Sequence, residues 1–351
     1  MLGAVSAADD VGLRQLLQRL VDLGADMDEL EEVLRAGRLS DFALDVAVRP
    51  PGETMDLGQF IESSGLDANL VRELWSAFGF PASGPVRVTP DVAEAIRFLI
   101  AMAGLFKDET SFAMARVMGS TSSRLAEALI SAFRVDVELP NIASGTDEFR
   151  RINDTITAGR DLLPMFEAAL SAIFRRHMVL VSYQMWAPDE SQATVTHERT
   201  VGFADLVSST ETVRGATPAE LAVLVREFEA RIWALVTGVG GRVVKLIGDE
   251  AMFVIEDSAA ACDVAMRFVE TSPQPVRVGL AHGTVVALYG DYYGETVNLA
   301  ARLVNTADPS TVAVSAAVRD RVGDNFGFDA LPARQLKGFG DPVVFYRARR
   351  R

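Results

Sequence analysis

The sequence is poor in the residues that staple a fold, bind soft metals or grip nucleic acid. Cys262 is its one cysteine, so neither a disulfide framework nor a thiolate zinc cluster is available. Within SAAACDVAMRFVE that lone thiol reads as a small buried hydrophobe. Lys and Arg number 34 against 48 Asp and Glu, a formal net charge of -14, which argues against holding nucleic acid through its phosphates. An anionic nucleotide stays compatible with that charge, because divalent cations can invert the local field. The longest apolar runs, FLIAMAGLF and MVLVSYQMW, are about half of what a membrane span requires. The N-terminal MLGAVSAADD lacks a basic region followed by a signal-type apolar core. These absences predict a cytoplasmic protein with no membrane span and no nucleic-acid partner. What is present, 49% apolar and 23% charged residues over 351 positions, suits one large or two ordinary folded domains.

The pattern changes style once along the chain. Up to about residue 135 it reads as successive helices, with Leu and Val at three- and four-residue spacing and Gly at the stops. Thr89 and Pro90 suit an N-cap and a first helical position. The stretch from 135 to 160, with LPNIASGTDEF, reads as a break, followed by one more helix leading toward Pro188. APDESQ is the best linker candidate, and from Ala193 onward strands alternate with helices. The expected organisation is an all-α domain at 1–187, a linker at 188–193 and an α+β domain at 194–351. In that domain the order β-α-β-β-α-β predicts a ferredoxin-like sheet. Thr54 to Pro81 has a helix-turn-helix rhythm, but Asp56, Glu62, Asp67 and Glu73 face one base, Arg72. That charge disfavours DNA recognition and favours a packed helical module.

The chemistry concentrates in the second half. GRVVKLIGDEAMFVIE predicts a hairpin that carries Lys245 in its first strand and Asp249 and Glu250 at its tip. Asp205 ends the strand predicted from TVGFADL. In a β-α-β-β core the first strand lies between others and the hairpin is its neighbour, so Asp205 and Asp249 can converge. Paired carboxylates with oxygen-only surroundings suit Mg²⁺ or Mn²⁺. Taken singly, each aspartate reads as an N-cap or a turn residue. GDYYGETVNLAARL places Asp291 in a Gly-flanked loop and Asn298 and Arg302 four residues apart on one helix face. There an arginine can meet phosphate oxygens bidentately or stabilise charge on phosphorus. Lys337, in the Gly-rich LKGFGDP, offers a further phosphate contact.

Together, FADLVSST, VVKLIGDEAMFV, GLAHG, GDYYGETVNLAARL and LKGFGDP resemble, in order and spacing, the catalytic domain of class III nucleotide cyclases, bacterial adenylate cyclases in particular. The resemblance spans about Thr194 to Tyr346. The helical half resembles, more loosely, the regulatory domain of soluble mycobacterial-type cyclases. The resemblance implies conversion of ATP to 3′,5′-cyclic AMP and pyrophosphate, with two Mg²⁺ or Mn²⁺ ions per site held by Asp205 and Asp249. It implies that backbone amides of Leu206, Val207, Ser208, Ser209 and Thr210, at a helix start, cradle the β- and γ-phosphates. It gives Asn298 the ribose, Arg302 the transition state, Lys337 the triphosphate, and Lys245 with Asp291 the base. A lysine donor and a carboxylate acceptor match N1 and N6 of adenine, whereas guanine reverses both, so ATP is the expected substrate.

The resemblance also implies a homodimer whose two sites lie between subunits, the metal aspartates from one and the base-reading pair, Asn298 and Arg302 from the other. Ser208 departs from a glycine common among relatives, and Ser209 from an aromatic. Glu250 has no implied role. A catalytically weak or inactive nucleotide-binding regulatory module is the alternative, although every expected catalytic position is filled. A diguanylate cyclase is disfavoured, since no Gly-Gly-Asp-Glu-Phe signature occurs. His177 and His197 flank the predicted junction and are candidates for sensing pH, with ordinary surface or packing roles as the simpler reading.

Overall fold

In the computed structural model the described residues are 7–82, 86–102, 105–185, 196–207 and 217–351. The chain divides into two compact units, Met1–Pro188 and Asp189–Arg351. The expected linker, 188–193, lies outside the described residues.

Among the described residues the first unit is built of helices: α1 (Ala7–Asp22), α2 (Met27–Ala36), α3 (Leu39–Val48), α4 (Leu57–Ser64), α5 (Ala68–Ala77), α6 (Pro90–Met102), α7 (Asp108–Phe133), α8 (Leu139–Ala143) and α9 (Glu148–Met185). Their ends follow local chemistry. Asp26 and Asp56 each close a capping box on α2 and α4, and Gly37 and Gly65 end those helices in the left-handed region. The helix-turn-helix rhythm is present as α4 and α5, whose Phe60, Val71, Leu74 and Trp75 are buried in a core shared with Val88, Ile96 and Leu99. A second core joins Leu16, Leu20, Leu30 and Val46 to Ile152 and Ile156 of α9. The break expected over 135–160 is much shorter. A π-helical stretch, Arg134–Glu138, carries α7 directly into α8. Only the turn at 144–147, with Gly145 at φ 75°, separates α8 from α9.

The second unit has β1 (Thr196–Leu206), α10 (Pro218–Gly238), β2 (Arg242–Ile247), β3 (Glu250–Ile255), α11 (Ser258–Thr271), β4 (Val276–Leu288), β5 (Asp291–Tyr293), α12 (Glu295–Thr306), β6 (Val312–Ser315), α13 (Ala316–Val322), β7 (Phe326–Ala330) and β8 (Phe345–Arg350). One sheet runs β2-β3-β1-β4-β6-β8-β7, with β5 paired to β4. Its first four strands are antiparallel neighbours in the ferredoxin-like order. The overall class is α+β. β4 runs unbroken through Gly283, which keeps its place in the ladder opposite Arg199.

Both faces of the sheet are covered. Phe228, Ile232 and Val236 of α10, with Cys262, Ala265 and Phe268 of α11, pack on Ala204, Phe253, Val278 and Leu280. Burial pushes the Cys262 thiol up to about 12, so it stays protonated and apolar, as its setting in the sequence predicts. On the opposite face Ala300, Leu303 and Val304 of α12 cover Val201, Phe203, Met252 and Ala281. Burial of each Leu or Val there contributes about 1.5–3 kcal/mol. This helix sits on bare backbone: a Cβ at Gly279 would lie 2.2 Å from Val304 N and 2.6 Å from Ala300 O. Glycine at 279 therefore sets the height at which α12 carries Asn298 and Arg302.

Candidate active site

Three neighbouring strand ends gather the acidic residues. Asp205 precedes the last residue of β1, in register with Glu250 on β3 and Arg277 on β4. Cross-strand partners share a face, so Glu250, Asp205 and Arg277 form a row across the sheet. The exposed Asp249 lies in the two-residue turn just before Glu250, and its carbonyl accepts from Leu206 N at 3.0 Å. That backbone bond fixes the tip of the predicted hairpin beside the end of β1. Arg277 Nε lies 2.7 Å and Nη2 2.5 Å from Asp205 Oδ2.

The electrostatics mark the same cluster. Burial holds the Asp205 carboxyl above its ordinary value and Asp249 adds to this, while the hydrogen bond and charge of Arg277 oppose it. Burial also raises Glu250, followed by Asp205 and Asp249, with Arg277 opposing. Carboxylates crowded in this way attract a cation. Among the described residues no cluster of three or more His, Cys, Asp or Glu is able to hold a metal. Asp205 and Asp249 are the two aspartates here that could hold a Mg²⁺ ion, with water and phosphate oxygens completing its shell. Arg277 lies in an apolar strand pattern, and its part in the site is visible only once strand register is known.

A second pair lies elsewhere on the sheet. Lys245 Nζ is 2.5 Å from Asp291 Oδ2, and both side chains are partly exposed. Asp291 is not in a loop. It is the first residue of β5, after a two-residue turn in which Tyr289 and Gly290 have φ 51° and 82°. Both values are positive, as in a tight type I′ hairpin. Asp291 Oδ1 accepts from the amide of Tyr292 at 2.8 Å.

α12 carries Asn298, exposed, and Arg302 one turn further on. Arg302 Nε donates to the carbonyl of Lys337 at 3.4 Å, bringing the exposed Lys337 turn alongside that helix. The phosphate cradle differs from expectation at its first two positions. Leu206 N is taken by Asp249 O, and Val207 N donates to Pro275 O at 2.9 Å. Both amides extend the pairing of β1 toward its two neighbours, so they are not presented to a ligand. Ser208, Ser209 and Thr210 lie outside the described residues. His177 is exposed on α9, and His197 lies near the start of β1. Burial, with Arg199 adding, lowers His197 below its ordinary value, and Glu256 opposes.

Comparison with known proteins gives this arrangement a family. Residues 191–347 match the adenylate and guanylate cyclase catalytic domain. The "Uncharacterized protein Rv2212" of Mycobacterium tuberculosis is 33% identical over 339 residues, 94% of this chain and 89% of that protein. An adenylate cyclase of Streptomyces coelicolor is 32% identical over 272 residues, covering 75% of this chain and 70% of the relative. A pH-sensitive adenylate cyclase of Mycobacterium tuberculosis is 32% identical over 176 residues, 46% of this chain and 42% of the relative. Among solved structures, the adenylyl cyclase CyaB from P. aeruginosa aligns with TM-score 0.40 and 22% identity over 44% of this chain and 95% of that one. The chain belongs to the class III nucleotide cyclase family. No helix among the described residues is long and apolar enough to cross a membrane.

Proposed function

We propose that the protein is an adenylate cyclase, forming 3′,5′-cyclic AMP and pyrophosphate from ATP in a homodimer whose sites are shared. The observation that carries the adenine preference is the Lys245–Asp291 contact at 2.5 Å. It presents one donor and one acceptor side by side, as the N1 and N6 edge of adenine requires. Guanine would leave both groups opposed. In the reaction the ribose 3′-oxygen forms a bond to the α-phosphorus, the α–β phosphoanhydride bond breaks with its electron pair leaving on pyrophosphate, and the hydroxyl proton passes to solvent.

Asp205 and Asp249 would hold Mg²⁺ or Mn²⁺, two ions per site. The chemistry supplied by bound metal is neutralisation of the triphosphate and acidification of the 3′-hydroxyl. The remaining work belongs to side chains. Asn298 orients the ribose, Arg302 stabilises charge on the transferring phosphorus and Lys337 meets the triphosphate. Arg277 balances the charge of Asp205. The Ser208–Thr210 amides remain the candidates for the terminal phosphates.

The shared site is tested by mixing. Asp205→Ala and Arg302→Ala are each inactive alone, and their mixture regains activity, because one of its two sites is intact. A mixture as dead as its components contradicts the shared site.

The helical unit, residues 1–187, is proposed to regulate the cyclase domain, 194–351. Comparing the full chain with residues 190–351 reads the sign of that control, and equal rates would remove it. His177 and His197 are proposed to make the control pH-dependent, consistent with the lowered His197 and with similarity to the pH-sensitive adenylate cyclase of Mycobacterium tuberculosis. A pH–activity profile unchanged by His177→Ala and His197→Ala removes that part.

A further inference from the structure

The strand that supplies Lys245 also carries a residue that grips the facing turn. In the β2–β3 ladder Arg242 lies opposite Val254, Val243 opposite Phe253 and Lys245 opposite Met252, so Val244 is an extra residue. In a regular strand, residues three apart point to opposite faces. The bulge at Val244 absorbs one position and brings Arg242 and Lys245 to one face, two rungs apart. They then meet successive residues of the β4–β5 hairpin. Arg242 Nη2 donates to Gly290 O at 2.7 Å, and Lys245 meets Asp291. The Arg242 guanidinium also lies 5.8 Å from the centroid of the Tyr292 ring, within cation–π range.

That turn needs an external hold. Tyr289 at φ 51° is a non-glycine residue in the left-handed region, a conformation that persists only where its surroundings enforce it. β5 is a three-residue strand paired to β4 alone, and a short two-stranded ribbon is marginal by itself. Lys245 has a second task. A base that takes hydrogen bonds from Lys245 and Asp291 competes with the bond between them. Arg242 uses a backbone carbonyl of the turn, so its grip survives when the base is bound.

We infer that Arg242 is a positioning residue for nucleotide choice. Through Gly290 and Tyr292 it holds the Tyr289–Asp291 turn at the distance from β2 at which Lys245 and Asp291 fit one purine edge. The inference rests on the reading of Lys245 and Asp291 as the base-reading pair.

The test compares full-length wild type, Arg242→Ala, Arg242→Lys and Asp291→Ala. The readouts are kcat and KM with ATP and with GTP, and amide hydrogen exchange over residues 288–293 without nucleotide. Arg242→Ala raises the KM for ATP about tenfold, leaves kcat within about threefold and narrows the ATP:GTP ratio of kcat/KM about tenfold. It also speeds exchange in the turn while the rest of the sheet is unchanged. Arg242→Lys keeps a donor for Gly290 O and recovers part of both effects. If Arg242→Ala slows both nucleotides alike, with ratio and turn exchange unchanged, the inference is overturned. An Asp291→Ala enzyme with an unaltered ratio would overturn the base-reading assignment instead. Turn exchange then decides the grip alone: faster in Arg242→Ala supports it, unchanged refutes it.

Discussion

Arg277 and Asp205 are register partners on β4 and β1, and the guanidinium brings Nε and Nη2 to the same carboxylate oxygen, Oδ2, at 2.7 and 2.5 Å. Burial raises the Asp205 carboxyl above its ordinary value, and the hydrogen bond and charge of Arg277 oppose that rise. Arg277→Gln leaves the carboxylate without a full partner. The expected loss of stability is about 1–3 kcal/mol at pH 7. It shrinks on acidification, as Asp205 takes up a proton. Urea unfolding of wild type and variant at pH 7 and pH 5 measures it.

Glu250, raised by burial and by its two acidic neighbours, should cost stability while it is charged. A carboxyl raised on folding binds its proton more tightly in the folded state, so its contribution to stability falls as pH rises through its titration. Glu250→Gln therefore melts about 1–3 °C higher at pH 7. The gain fades toward pH 4, where the native carboxyl is already neutral. Melting curves across that range test this.

His282 has the opposite sign. Its Nδ1 lies 3.0 Å from Thr200 Oγ1 and 3.2 Å from Ser258 Oγ, and its Nε2 lies 3.4 Å from Glu198, which Arg321 also approaches at 3.7 Å. Burial, and then Arg321, lower it below its ordinary 6.5, with Glu198 opposing. The unfolded chain takes up the proton first, so stability falls as pH drops below about 6.5. His282→Asn, with a lower baseline stability, should flatten that part of the pH–melting curve. An unchanged slope would remove His282 as its source.

Gly279 lets α12 rest on β4. Gly279→Ala forces a Cβ into the backbone of Ala300 and Val304. The expected cost is about 1–3 kcal/mol. Activity should fall further than stability explains, because Asn298 and Arg302 move with the helix. Calorimetry paired with kcat measurement separates the two effects.

The strand order is legible in the sequence, and Asp205 at a strand end, Lys245 within a strand and Asp249 at a hairpin tip stand out against local pattern, whereas Asp291 reads as a loop residue but begins a strand. Lysine occurs only at positions 107, 245 and 337, so one inside an apolar strand is conspicuous. Arg277 and Arg242 were not legible, since their roles come from register and from a bulge, which depend on contacts distant in sequence. The helix through 134–138 was missed because a π-helical stretch shifts the apolar period. The resemblance alone gives the amides of Leu206 and Val207 to a ligand, whereas hydrogen bonds to the Asp249 and Pro275 carbonyls use both.

The most direct measurement is the product formed by purified full-length protein from ATP and from GTP at equal concentration, with Mn²⁺ and then with Mg²⁺. Cyclic AMP is expected as the main product, with kcat/KM for ATP at least about tenfold above that for GTP. Equal use of the two nucleotides, or no cyclic product with either metal, would contradict this expectation.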